Sequence, residues 1–71
     1  MVEHIFEGRI KKVWQIDERW LCEIYGTKKT MHNGVYDITE YVVQEAKELS
    51  RVPQVLTLVT LEDSKIVHLH Q

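Results

Sequence analysis

The 71-residue chain is predicted to form an α+β domain, in which a small antiparallel sheet of order β-β-(β)-α-β-β carries one helix packed on one face. Three patterns lead to this prediction. Apolar and polar residues alternate over 2–10 at the start of a hairpin pattern that extends to residue 25, a helical repeat follows Tyr36, and a β-branched, leucine-rich segment fills 55–70. Residues 1–71 form a single domain, because no repeat, linker or low-complexity segment divides them.

The first alternating segment predicts a long antiparallel hairpin. Period-two alternation over residues 2–10 is typical of a half-buried strand, and Lys11-Lys12 marks a possible β-bulge that shifts the pattern. The polar pair Asp17-Glu18 is turn-like, and Gly26 ends the second strand. A third short strand or small hairpin is expected around 29–36, where Asn33-Gly34 favours a tight turn.

The segment after Tyr36 predicts the helix. Asp37 is placed to cap its first turn, and Glu40 completes a capping-box spacing. Pro53 disfavours helical backbone at the residue before it, so the helix should end near Arg51. The predicted buried stripe consists of Ile38, Val42, Ala46 and Leu49.

The last segment predicts a second hairpin with Asp63-Ser64 at its tip. Regular pairing then places Leu61 opposite Ile66, Val59 opposite His68 and Thr57 opposite His70. One face of the sheet, under the helix, carries Leu56, Leu58, Val67 and Leu69. The other face is also apolar, and one helix cannot cover both.

This second apolar face predicts a non-enzymatic protein-binding, adaptor or inhibitor module that pairs with another protein or with a second copy of itself. This face carries four large apolar side chains, those of Val55, Val59, Leu61 and Ile66. Leaving them exposed to water costs several kcal/mol, which is comparable to the net stability of a small domain. An open alternative is that the N-terminal hairpin curls over this face and closes a barrel. The expected interface consists of Val55, Val59, Leu61, Ile66, His68, Trp14 and Trp20.

The runner-up prediction is a sheet that binds single-stranded nucleic acid. Basic residues interleaved with aromatic ones on strands suit phosphate pairing and base stacking. The candidate residues are Arg9, Lys11, Lys12, Trp14, Lys28 and Lys29. The net charge of −2 gives no overall attraction to nucleic acid, so this prediction depends on a local surface.

Composition and motifs argue against other classes. No catalytic or phosphate-binding motif occurs, and no cofactor is expected. His68 and His70 point to the same side of a strand, yet no further ligand pattern accompanies them, so no metal is expected. Cys22 is the only cysteine and lies in a strand pattern, as a buried hydrophobe would. The chain has no membrane-spanning apolar run, and a cytoplasmic location is expected.

Overall fold

A computed structural model describes residues 3–27 and 33–70 of the chain. The elements follow in the predicted order, with a third strand present. They are β1 (Glu3–Ile16), β2 (Arg19–Gly26), β3 (Gly34–Ile38), a 3₁₀ turn (Glu40–Val42), α1 (Val43–Ser50), β4 (Thr57–Glu62) and β5 (Lys65–His70).

The strands close into a barrel in the order β1-β2-β3-β5-β4, so the prediction of an open sheet with a helix on one face is wrong. Strands β4, β1, β2 and β3 lie in Greek-key order, and β5 closes the ring between β3 and β4. All neighbouring strands are antiparallel except β3 and β5, which are parallel. A closed interior therefore replaces the helix-covered face and the open face that were inferred from the sequence.

The length and bend of β1 make this closure possible. Its first half pairs with β4, from Glu3 opposite Glu62 to Gly8 opposite Thr57, and its second half pairs with β2. The register shifts between Ile10 and Lys12, which confirms the predicted bulge at Lys11-Lys12. A bulge bends and twists the strand that contains it, so a single strand serves both sides of the barrel.

Gly8 lies where β1 passes from one partner to the other. A Cβ atom added at Gly8 would lie 2.6 Å from the Cγ2 atom of Ile24 and 3.3 Å from the backbone oxygen of Tyr25. The absence of a side chain therefore allows β2 to approach β1 closely at this point.

The β4–β5 hairpin turns at the predicted tip but departs from the predicted register. Asp63 and Ser64 have φ values of 53° and 65°, as a type I′ turn requires. Leu61 lies opposite Ile66 as expected. The register then shifts by one residue at Val67, so Thr60 lies opposite His68, Val59 opposite Leu69 and Leu58 opposite His70.

The core fills the barrel and continues to the buried side of the 3₁₀ turn and α1. It consists of Phe6, Ile10, Cys22, Ile24, Ile38, Val42, Val43, Ala46, Leu49, Val59, Leu61, Ile66 and Leu69. Of the residues predicted to lie under the helix, Leu69 is buried, whereas Leu56 and Leu58 are exposed. The predicted assignment of residues to a helix-covered face and an open face is wrong, because the alternation of apolar and polar residues does not show that the sheet curves into a barrel.

Helix α1 begins later than predicted. Asp37 and Ile38 belong to β3, and the Asp37 carboxylate accepts a hydrogen bond from Arg19 at 2.6 Å instead of capping the helix. The helix ends at Ser50, close to the predicted position. All four residues of the predicted buried stripe are buried, and α1 packs against β1. No helix within the described ranges is both long and apolar enough to cross a membrane.

Candidate functional site

The predicted protein interface does not form an open surface in the barrel. Val59, Leu61 and Ile66 lie in the interior, because β1 pairs along β4 and the barrel closes over them. Val55 is half-buried in the segment before β4. The apolar face on which the sequence predicted a homodimer is therefore closed within one chain, and the alternative of self-closure describes the fold.

The other three residues of that predicted interface lie apart from one another. Trp20 is half-buried against the core, and the Lys47 ammonium lies 4.6 Å from the centre of its indole ring. His68 is exposed on the outside of β5, and Trp14 lies outside the barrel on β1. The structure does not bring these side chains together.

The outer surface of β1 and β2 does bring together most of the residues predicted for nucleic-acid binding. Outward-facing register pairs place Arg9 beside Tyr25, and Lys12 beside Glu23. Trp14 follows Lys12 on the same face, while the bulge residue Lys11 is exposed next to them. We call this surface, formed by Arg9, Lys11, Lys12, Trp14 and Tyr25, the basic aromatic surface.

A lysine ammonium group lies over each of the two aromatic rings of this surface. The Lys11 Nζ atom lies 5.1 Å from the centre of the Tyr25 ring, and the Lys12 Nζ atom lies 5.2 Å from the centre of the Trp14 ring. Both distances are within the range of cation–π interactions, which attract the ammonium groups to the faces of the rings. Tyr25 is 47% exposed, so its ring is accessible to a ligand.

Acidic groups limit the positive potential of this surface. Glu23 lies between Lys12 and Val35 in the register, and Arg19 is paired with Asp37. The predicted Lys28 and Lys29 fall outside the described residues. Among the described residues of this surface, Arg9, Lys11 and Lys12 supply the attraction for an anion, which is local and not a property of the whole molecule.

A concave feature lies between α1 and β5, and we call it the α1–β5 groove. Its volume is about 500 Å³, and its lining consists of Glu45, Glu48, Leu49, Val52, His68, Leu69 and His70. The rings of His68 and His70 are stacked there with centres 6.2 Å apart. Within the described part of the chain, no three or more His, Cys, Asp or Glu side chains are arranged to hold a metal ion.

Cys22 is placed unfavourably for nucleophilic chemistry. Its side chain is fully buried, and burial, followed by the negative charge of Glu23, raises the pKa of its thiol from 9.0 to about 12. A thiol must lose its proton to act as a nucleophile. At neutral pH this group is a neutral, buried part of the core.

Two parts of these surfaces lie outside the residues predicted as binding sites. Tyr25 is one of the aromatic residues interleaved with basic ones in the first half of the chain, and the alternation of β2 places it on the same side as Leu21 and Glu23. The acidic pair Glu45 and Glu48 has helical spacing, but its proximity to β5 depends on tertiary packing.

Comparisons with protein-family models, with curated proteins and with solved structures found no match for this chain.

Proposed function

We propose that this chain binds single-stranded nucleic acid on the basic aromatic surface. The observation that carries the proposal is the pair of aromatic rings outside the barrel, each with a lysine ammonium about 5 Å from its centre. Sites for single strands combine these two elements, because bases stack on the rings while phosphates pair with the cations. No other surface of the described residues combines two aromatic rings and three cations in this way.

The chemistry favours a single strand over a duplex. Stacking needs the flat face of an unpaired base, which a duplex hides between neighbouring base pairs. The exposed ring of Tyr25 presents such a face from the side of a strand, and no projecting helix or long loop of the described residues is placed to enter a duplex groove. Sequence preference should be weak, because every base can stack on an aromatic ring.

The distance between the two rings sets a minimum ligand length. Trp14 lies opposite Leu21, and Tyr25 lies four residues further along β2, which corresponds to about 13 Å along the strand. Stacked bases repeat every 3.4 Å or so, so one base cannot reach both rings. A mononucleotide should therefore occupy one ring, and an oligonucleotide of several residues should occupy both.

The architecture is consistent with this proposal. A five-stranded Greek-key barrel with a helix between β3 and β4 corresponds to the OB-fold, in which the face of strands 2 and 3 commonly binds oligonucleotides or oligosaccharides. Of the basic aromatic surface, Tyr25 lies on β2, and the other four residues lie on the adjoining strand β1. Architecture alone does not assign a function, so the support lies in the lysines and rings. The proposal also places the chain in the cytoplasm, where a free thiol such as that of Cys22 persists.

Fluorescence anisotropy with a labelled twelve-residue oligothymidylate, single-stranded and in duplex with oligoadenylate, tests the proposal. We expect salt-sensitive binding to the single strand, with log K falling against log salt with a slope of about −2 for three cation–phosphate contacts. Tyr25→Ala should weaken binding about 5-fold or more through the lost stacking contact.

Tyr41→Ala is the matched control, because Tyr41 is a 77% exposed tyrosine that is not part of the basic aromatic surface. We expect it to change affinity less than about twofold. For the cations, Lys11→Gln with Lys12→Gln should flatten the salt dependence, whereas Lys65→Gln should not. No binding at low ionic strength, or equal losses for Tyr25→Ala and Tyr41→Ala, would rule the proposal out.

Protein binding remains the second candidate function, at a different place from the one the sequence predicted. The α1–β5 groove favours it, because the groove combines an apolar floor, acidic side chains and an open strand edge.

A further inference from the structure

We propose that the α1–β5 groove binds an extended, basic segment of a partner protein, which adds as a strand to the open edge of β5. Peptides bind many sheets in this way, with backbone hydrogen bonds providing affinity and alternate side chains providing specificity. The inference does not depend on nucleic-acid binding, because the groove and the basic aromatic surface share no residue.

The edge of β5 that faces α1 is only partly paired. β3 pairs with β5 at Lys65 and Ile66 and no further, while β4 occupies the opposite edge. The Ile66 oxygen accepts from the Thr39 amide at 2.9 Å, and the Val67 oxygen accepts from the Tyr41 hydroxyl at 3.2 Å. From His68 to His70, no described strand lies beside this edge.

The floor of the groove suits alternate apolar side chains. Leu49 of α1 and Leu69 of β5 are largely buried beneath it, and Val52 is exposed at its side. In an added strand every second side chain points to the same side, about 6.5–7 Å from the next. Two aliphatic side chains of a bound segment therefore reach this floor while its backbone lies along His68–His70.

The charge of the groove selects a basic segment. Glu45 and Glu48 are exposed and three residues apart, so they line the same side of α1 facing β5. A second copy of the chain is a poorer occupant, because two-fold pairing of β5 edges brings the same two carboxylates of each copy into one interface. Lysine or arginine side chains of a different protein meet these carboxylates favourably.

Isothermal titration calorimetry and backbone amide NMR with a capped hexapeptide of alternating lysine and valine test the inference. We expect binding, with amide shifts confined to β5 and α1. Glu45→Gln with Glu48→Gln should weaken binding about 3- to 10-fold, since exposed ion pairs are individually weak. Glu40→Gln is the matched control, since Glu40 is an exposed acid next to the helix but outside the groove.

Two further peptides separate strand addition from charge attraction alone. N-methylation of alternate peptide amides removes the donors of an added strand and should abolish measurable binding, whereas a glutamate–valine peptide should not bind. The inference is overturned if the glutamate–valine peptide binds equally well, or if the double glutamine variant and Glu40→Gln behave alike. Amide shifts on β1 and β2, or self-association through β5 in light scattering, would also overturn it. Oligothymidylate binding by the double glutamine variant, measured in parallel, reports on the nucleic-acid proposal separately.

Discussion

Cys22 shows how burial determines the chemistry of one side chain. Its thiol lies in the barrel interior, where desolvation is the main cause of a pKa of about 12. The sequence predicted a buried cysteine from the alternation of β2 alone, and the structure confirms it. The raised pKa has a consequence for stability, because an unfolded chain exposes the same thiol to water.

Stability should therefore fall with rising pH in a way that Cys22 controls. The folded pKa is raised above the unfolded value of 9.0, so the thiol's contribution is fully present below pH 9 and is lost between pH 9 and 12. Ionisation of this thiol in the unfolded chain lowers the free energy of unfolding by up to about 1.4 kcal/mol per pH unit in this range. Urea unfolding of the native chain and of Cys22→Ala at pH 7 to 10.5 measures this effect, and the variant should decline less steeply. Parallel declines in both proteins would contradict the assigned pKa.

Single residues also explain why the histidines of the last strand could not be placed from the sequence. Strict alternation puts Ile66, His68 and His70 on one side of β5. The shift at Val67 instead sends both imidazoles outward and Leu69 inward. Burying two polar rings in an apolar interior is costly, and a bulge avoids that cost. The alternation of apolar and polar residues in β5 gives no sign of this bulge. In β1, by contrast, the pair Lys11-Lys12 interrupts the alternation and so made the bulge predictable.

At the level of elements, the presence of a helix or strand was easier to predict than its first and last residues. The start of the helix was placed too early, because Asp37 and Glu40 have the spacing of a capping box. In the folded chain β3 continues to Ile38 and Arg19 binds the Asp37 carboxylate, so tertiary pairing overrides the local signal. The end of the helix near Arg51 was predictable, since Pro53 acts within the chain itself.

Two neighbouring residues of strand β4 test which of its faces points into the barrel. Val59 is fully buried, whereas its neighbour Leu58 is 42% exposed on the outside of the barrel. Val59→Lys places a charge in the core and should unfold the domain, since an unpaired buried charge costs several kcal/mol. Leu58→Lys should change the free energy of unfolding by less than about 1 kcal/mol. Urea unfolding followed by circular dichroism compares them, and a folded Val59→Lys protein would show that this face is not interior.

At the scale of the whole molecule, closure of the barrel changes the functional interpretation. The expected shortage of cover for a second apolar face disappears, because the N-terminal half of β1 pairs with β4. This pairing joins residues about fifty to sixty positions apart in the chain, and nothing in the local pattern of either strand specifies it. The sequence left closure open as an alternative and favoured the wrong arrangement. Of the residues predicted for nucleic-acid binding, Arg9, Lys11, Lys12 and Trp14 fall within the described residues and lie on one strand of the N-terminal hairpin.

The closed barrel leaves two outer regions of opposite character. Arg9, Lys11 and Lys12 surround two rings on β1 and β2, and Glu45 and Glu48 line the groove beside β5. The two regions lie on different elements, so one ligand need not exclude the other. Both proposals depend on the barrel, because an open sheet would expose Val59 and Ile66 and offer different surfaces.

Nuclear Overhauser effects across β1 and β4 test barrel closure most directly. A uniformly labelled sample in solution should show cross-strand contacts for the pairs His4–Leu61 and Phe6–Val59, together with those between β1 and β2. If the β1–β2 contacts appear while none connects β1 to β4 within the same molecule, the sheet is open, and the barrel and both of its proposed surfaces are wrong.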